Sequence, residues 1–169
     1  MTTGIATASL ALADLVRAAV PRADVRIGPP AAATGNDLSV ALWLYRVDPD
    51  ANARNVRRVG PADPTQPGLF LTAHYLLSVT GPDQADAHHA LGALALAIND
   101  HPVLATGEGD ACIAAAPPLA IEPLPIETVT ALWSTLGPVP LHPWLALSVG
   151  GIRLHAPQGA APPLPIVRD

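Results

Sequence analysis

The residues of this 169-residue chain best suited to metal binding or nucleophilic chemistry are six histidines and a single cysteine. His88 and His89 are adjacent in a stretch with helical periodicity, with Asp86 just before them. Adjacent helical residues point about 100° apart, whereas a helix-borne zinc site takes ligands one turn apart, and no second cysteine is present to complete one. Cys112 could act as a nucleophile with a histidine beside it. Its neighbours Ala111, Ile113 and Ala114 are apolar, a setting that disfavours the reactive thiolate and suits a buried structural cysteine. Gly107-Glu108-Gly109-Asp110 lacks the third glycine of a dinucleotide fingerprint and follows the end of a helical stretch. The glutamates are Glu108, Glu122 and Glu127, and no two acids fall at matching positions on the expected core strands. There is no G-x-S-x-G turn, P-loop or H-E-x-x-H. No cofactor or metal is expected. One enzyme reading remains: a small-ligand or metal-binding site built from His74, His88 and Cys112.

Charge offers a different kind of chemistry. Arg46, Arg54, Arg57 and Arg58 outnumber Asp48 and Asp50 by two in a chain of net charge −5. The body of the protein is therefore acidic and this segment basic. Arginine is favoured in interface ion pairs because its planar fork can grip a carboxylate at two points. A docking surface and an ordinary solvated loop both fit that pattern.

These residues must be positioned by recognisable elements. Ile5, Ala8, Leu12, Val16 and Ala19 make one apolar stripe of a helix over about 5–20, stopped by Pro21. A short strand fits 24–27. Residues 38–47 read as a strand with Leu38, Val40, Leu42 and Leu44 on one face and Ala41, Trp43, Tyr45 and Val47 on the other. Both faces are apolar, as in a strand covered on both sides. A second long strand spans 69–80, with Leu69, Leu71, Tyr75, Leu77 and Val79 on one face and Phe70, Thr72, His74, Leu76 and Ser78 on the other. The polar stretch 48–68 would join them as a protruding hairpin connection. A helix over 83–99 carries Ala87, Leu91, Leu94 and Ile98 on its buried face. Residues 107–125, broken by four prolines, read as loop or short strand. A helix over 126–136 ends at Gly137-Pro138, a strand follows over 141–149, and a further short one fits 152–155. The expected core comprises Leu42, Trp43, Leu44, Tyr45, Tyr75, Leu77, Leu91, Leu94, Ile98, Trp133, Leu145 and Leu147. The fold class is α+β: one domain over 1–155, with a mixed or antiparallel sheet, long hairpin strands and flanking helices. Residues 156–169 form a proline-rich arm.

Composition narrows the partners. Half of the residues are apolar, enough for a core without disulfides, and the single cysteine fits a reducing, cytoplasmic setting. All nine basic residues are arginine, too few for the broad basic surface that nucleic acids require. The apolar N-terminal stretch has no basic residue before it, unlike a signal peptide. The longest uncharged stretch, 128–152, is interrupted by Gly137, Pro138, Pro140 and Pro143, so membrane insertion is not expected.

Several segments, taken in order, resemble one family. Leu44-Tyr45-Arg46-Val47-Asp48-Pro49-Asp50-Ala51-Asn52-Ala53-Arg54-Asn55 resembles its pattern L-Y-x-V-x-P-N-A-x-x-R-N, with Asp50 in place of the usual asparagine. Leu71-Thr72-Ala73-His74-Tyr75-Leu76-Leu77-Ser78 is similar to its L-x-x-H-Y-L-L-S strand. His88-His89-Ala90-Leu91-Gly92, His101-Pro102-Val103-Leu104, Leu132-Trp133-Ser134 and Leu145–Val149 follow in the family's order. The family is the cap, or tail-terminator, protein of phage-tail-like contractile injection systems. The resemblance implies a phage tail-terminator-like fold and a structural, non-enzymatic role. It also implies a homo-oligomeric ring, six copies in number, on the baseplate-distal end of the sheath and inner tube, where it ends their polymerisation. Such a protein would act in the cytoplasm as part of the assembled particle. Read against that role, Arg46, Asn52, Arg54, Asn55, Arg57 and Arg58 become candidate interface residues.

Overall fold

Helix α1 (Gly4–Ala19) forms where apolar residues recur at helical spacing, burying Ala8, Leu12, Ala13 and Val16 along one side. It ends just before Pro21, which cannot continue it. In the computed structural model, which describes residues 4–32, 37–50, 69–105 and 117–154, α1 is followed by strand β1 (Asp24–Ile27). Strand β1 pairs in parallel with β2 (Ser39–Pro49), from Asp24 opposite Ser39 to Ile27 opposite Leu42. Strand β3 (Leu69–Thr80) returns antiparallel to β2, giving the long hairpin expected from the two alternating runs. Helix α2 (Gln84–Asp100) starts at Asp83, whose carboxylate accepts the Asp86 N–H at 2.8 Å. Strand β4 (Leu119–Glu122), helix α3 (Ile126–Ser134) and strand β5 (Trp144–Leu154) complete the described elements.

The five strands lie in the order β1-β2-β3-β5-β4, with β1 alone parallel to its neighbour, so the sheet is mixed and β3 is its centre. The fold is α+β, a mixed sheet with α1 and α2 packed on one face and α3 on the other. Alternation along β3 divides it into two cores. Leu71, Ala73, Tyr75, Leu77 and Val79 face α1 and α2 in the larger core. Leu76 faces the other way, against Val129 and Trp133 of α3 and Ala146 of β5. Among the expected core residues, Leu42, Tyr75, Leu77, Leu94, Ile98 and Leu147 lie buried in the larger core and Trp133 in the smaller. Leu44, Leu91 and Leu145 are half-buried against the first, and Trp43 and Tyr45 against the second.

One strand reading changes. The last strand runs unbroken from Trp144 to Leu154 instead of ending at 149. Gly150-Gly151 is a bulge within it, where pairing with β3 shifts register and Gly151 takes φ 66°, a left-handed conformation open to glycine. Within 107–125, read as loop or short strand, residues 119–122 form a short strand. It is an edge strand, where proline is tolerated. None of the helices among the described residues is long and apolar enough to cross a membrane.

Candidate functional site

The polar chemistry of the sheet is concentrated where β2 breaks its alternation. Register passes from Leu44 opposite Tyr75 to Arg46 opposite His74, so Tyr45 is the extra residue of a β-bulge. From there the faces exchange. Arg46 and Asp48 share the face of His74, whereas Val47 lies opposite Ala73 on the α1/α2 side, not with Trp43 and Tyr45 as strict alternation required. Helix α3 packs over Leu76 and Ala146 at one end of this face, and the polar residues occupy the other.

His74 is the hub. Its side chain is 7% exposed, and each ring nitrogen meets a carboxylate oxygen. Nδ1 lies 2.8 Å from Glu122 Oε2 on β4, and Nε2 lies 3.1 Å from Asp48 Oδ2 on β2. Arg46 Nε donates to the same Asp48 oxygen at 2.8 Å, and Arg46 Nη2 lies 3.3 Å from His74 Nε2. The Tyr45 ring is tilted against the imidazole, with centroids 6.3 Å apart. Burial pushes the Tyr45 hydroxyl above its ordinary pKa; Arg46 pulls the other way, and Glu122 and Asp48 add to the rise. The four polar side chains thus satisfy one another across β2, β3 and β4. The arrangement fastens strands and presents no activated nucleophile.

The enzyme triad is not assembled. His88 is exposed on α2, which packs on the opposite face of the sheet from His74, and Cys112 lies outside the described residues. No group of three or more His, Cys, Asp or Glu among the described residues could hold a metal ion. Of the candidate interface residues, Arg46 sits on β2 with its guanidinium engaged by Asp48. Asn52, Arg54, Asn55, Arg57 and Arg58 lie outside the described residues, as does the arm 156–169. The flanks of residues 51–68 are nonetheless fixed: the Asp50 N–H donates to the Phe70 carbonyl at 2.9 Å, and the Asp50 carboxylate accepts from the Gly151 N–H at 3.4 Å. The segment therefore leaves and rejoins the sheet at the end carrying the His74 cluster.

Sequence reasoning did not find Asp48 and Glu122 as partners of His74. Glu122 is the one charge between Ala111 and Ile126, and an isolated acid in an apolar stretch was the available sign that it meets a buried polar partner. Beyond Glu122, an open apolar notch is lined by Ile121, Pro123, Leu124, Pro125, Trp144 and Leu145, because β4 ends opposite Ala146 while β5 continues.

With this geometry in view, similarity to known proteins falls into one group. No curated protein matches the chain. The fold is shared with the PVC sheath/tube terminator of an extracellular contractile injection system in the extended state, at TM-score 0.70 and 19% identity, over 100% of this chain and 63% of that one. It is also shared with the tube-terminating cap of the anti-feeding prophage, at TM-score 0.68 and 17% identity, over 93% of this chain and 57% of that one. This chain thus spans about three-fifths of the length of each of these structures. The Pvc16 N-terminal domain family matches residues 7–168, nearly the whole sequence, and the chain belongs to that family.

Proposed function

We propose that the chain is a structural cap, without enzymatic activity, that forms a ring on the baseplate-distal end of the sheath and inner tube of a contractile injection system and stops their polymerisation. The observation that carries this reading is a terminator fold shared over the full described sheet and its helices. Its partners are further copies of itself, six to a ring, and the sheath and tube proteins. Its place is the assembled particle, reached from the cytoplasm, and it contacts neither nucleic acid nor the membrane interior. The docking surface is the hairpin end, with Arg46 at its base and Asn52, Arg54, Asn55, Arg57 and Arg58 beyond it. A basic segment in an otherwise acidic sequence supports that orientation, since opposite charges meet when like parts stack.

The test is combined charge reversal, Arg54→Glu with Arg57→Glu and Arg58→Glu, followed by mass measurement and electron microscopy. The unmodified chain is expected as a ring of six copies of 17.3 kDa that decorates particle ends. The triple variant should lose the ring or the decoration. Unchanged ring mass and unchanged capping would remove the hairpin end from the interface.

A further inference from the structure

Two prolines create the apolar notch beside β4. That strand pairs with β5 as far as Glu122 opposite Ala146, and Pro123 and Pro125, which have no N–H to donate, end the ladder there. Strand β5 extends past this point to Trp144. The Gly150 N–H donates to the Pro118 carbonyl, so alternation along β5 turns the Trp144 N–H and carbonyl to the side where β4 has ended. The opening measures about 560 Å³, with Ile121, Pro123, Leu124, Pro125 and Trp144 among its walls. Ile121 is 43% exposed, and Ile126, which follows Pro125, is 51% exposed. An indole among prolines and aliphatic side chains, with backbone polar groups turned toward it, suits an extended proline-rich peptide.

The sequence holds such a segment. Pro162-Pro163-Leu164-Pro165-Ile166-Val167 is uncharged and has the P-x-x-P spacing, and the family match, which runs to residue 168, includes it. The described chain leaves the sheet at Leu154, opposite Leu69. The notch is at the other end of β5. Ala146 and Trp144 stand eight and ten residues before Leu154, about 27 and 34 Å away at the strand rise. A return to the chain's own notch begins with a reversal, for which Ala156-Pro157-Gln158-Gly159 has the residues of a β-turn. The eight residues from Ala160 to Val167 then cover about 25 Å at the polyproline rise, and Val167 falls short of Ala146. The notch of a second copy is under no such limit.

We propose that the β4 notch binds the Pro162–Val167 segment of a second copy of this chain. Leu164, Ile166 and Val167 supply the apolar contacts, and the Trp144 backbone supplies hydrogen bonds. The contact rests on the self-association proposed above and names what carries it. Donor segment and acceptor notch belong to opposite ends of the sheet, so copies join head to tail, the arrangement that closes into rings. A proline-rich segment gives up little freedom on docking, which lets a short one hold.

Disulfide trapping in the full-length chain tests this. Cys112→Ser first removes the single native thiol. One chain then carries Leu164→Cys and the other Ile121→Cys, so a disulfide between the two types joins two copies. Mixed under reducing conditions and then mildly oxidised, they should link several-fold more than when the second chain instead carries Arg22→Cys, an exposed position just before β1 at the far edge of the sheet. Ile166→Asp in the donor chain should remove most of the link. Mass measurement of the mixture before oxidation separates this contact from the ring itself. An assembled ring with no more link than the control, or a link indifferent to Ile166→Asp, overturns the docking contact and leaves the ring reading standing. A chain that stays monomeric overturns both. A chain carrying Leu164→Cys and Ile121→Cys together that closes only on itself assigns the notch to its own segment and likewise overturns the proposal.

Discussion

Trp133 anchors α3 through both of its characters. Its ring is buried against Leu76, Val129 and Ala146, and its Nε1–H is shared between the Val139 and Pro140 carbonyls, each at 3.0 Å. Trp133→Phe keeps most of the apolar burial and strands those carbonyls, so it should cost about 1–2 kcal/mol in urea unfolding, whereas truncation to Ala should cost about 3–5 kcal/mol. Equal losses for the two variants would mean that the indole N–H holds nothing. His142 packs edge-on against the same indole, with centroids 5.9 Å apart at 75°, and burial lowers its pKa below the ordinary value. The fold therefore favours neutral His142, while the unfolded chain binds a proton as pH falls below about 6.5. The sign follows: this residue draws stability down on the acid side of that value. His142→Phe keeps the edge contact and should flatten that acid loss in pH-dependent thermal unfolding; an unchanged slope would assign the loss elsewhere.

At the scale of elements, α2 depends on a local turn with little slack. A Cβ on Gly81 would stand 3.2 Å from the Ala87 nitrogen and 3.2 Å from the Asp83 carbonyl oxygen, so the chain enters the helix through a passage only glycine fits comfortably. Asp83 then caps it, and Asp83→Ala should cost about 1 kcal/mol in the same unfolding assay, with Asp83→Asn or Asp83→Ser largely restoring it. This start was legible, since Gly81-Pro82-Asp83 announces a helix opening, as were the hairpin strands, whose alternating apolar residues leave few other pairings. The bulge at Tyr45 was not. Leu44-Tyr45-Arg46-Val47 reads as continuous alternation with no glycine or proline to mark the extra residue, and the pairing with His74 that reveals it is a long-range contact. Strand β4 was legible only as one of two alternatives, loop or short strand, because Pro117, Pro118, Pro123 and Pro125 surround four residues that pair with a distant strand. The Gly150-Gly151 pair suggested a strand end; packing of Gly150 against Pro118, 3.0 Å from where its Cβ would stand, shows why small residues are needed there. The His74 cluster shares this difficulty. Its histidine stood out in the sequence, but Asp48 and Glu122 reach it only through the register of three strands.

For the whole molecule, the division of labour is spatial. The α1/α2 side of the sheet buries the larger apolar core and gives the domain its stability. The α3 side combines a smaller apolar core with the His74 polar cluster, and the hairpin end beside that cluster leads into the basic segment. Among the described residues no cluster could hold a metal ion, and His88 sits on a helix packed on the opposite face of the sheet from His74. The fold class and the family motifs were readable before any geometry, because the apolar periodicities and ordered segments are local; the partners, ring size and contact loops are properties of surfaces meeting, which a single chain does not spell out. The central claim is that this protein ends the growth of the sheath and tube. Electron microscopy of injection particles from a strain lacking it tests that claim most directly. The account predicts particles of uncontrolled length with open baseplate-distal ends, restored by supplying the protein; particles of normal length with intact ends would contradict it.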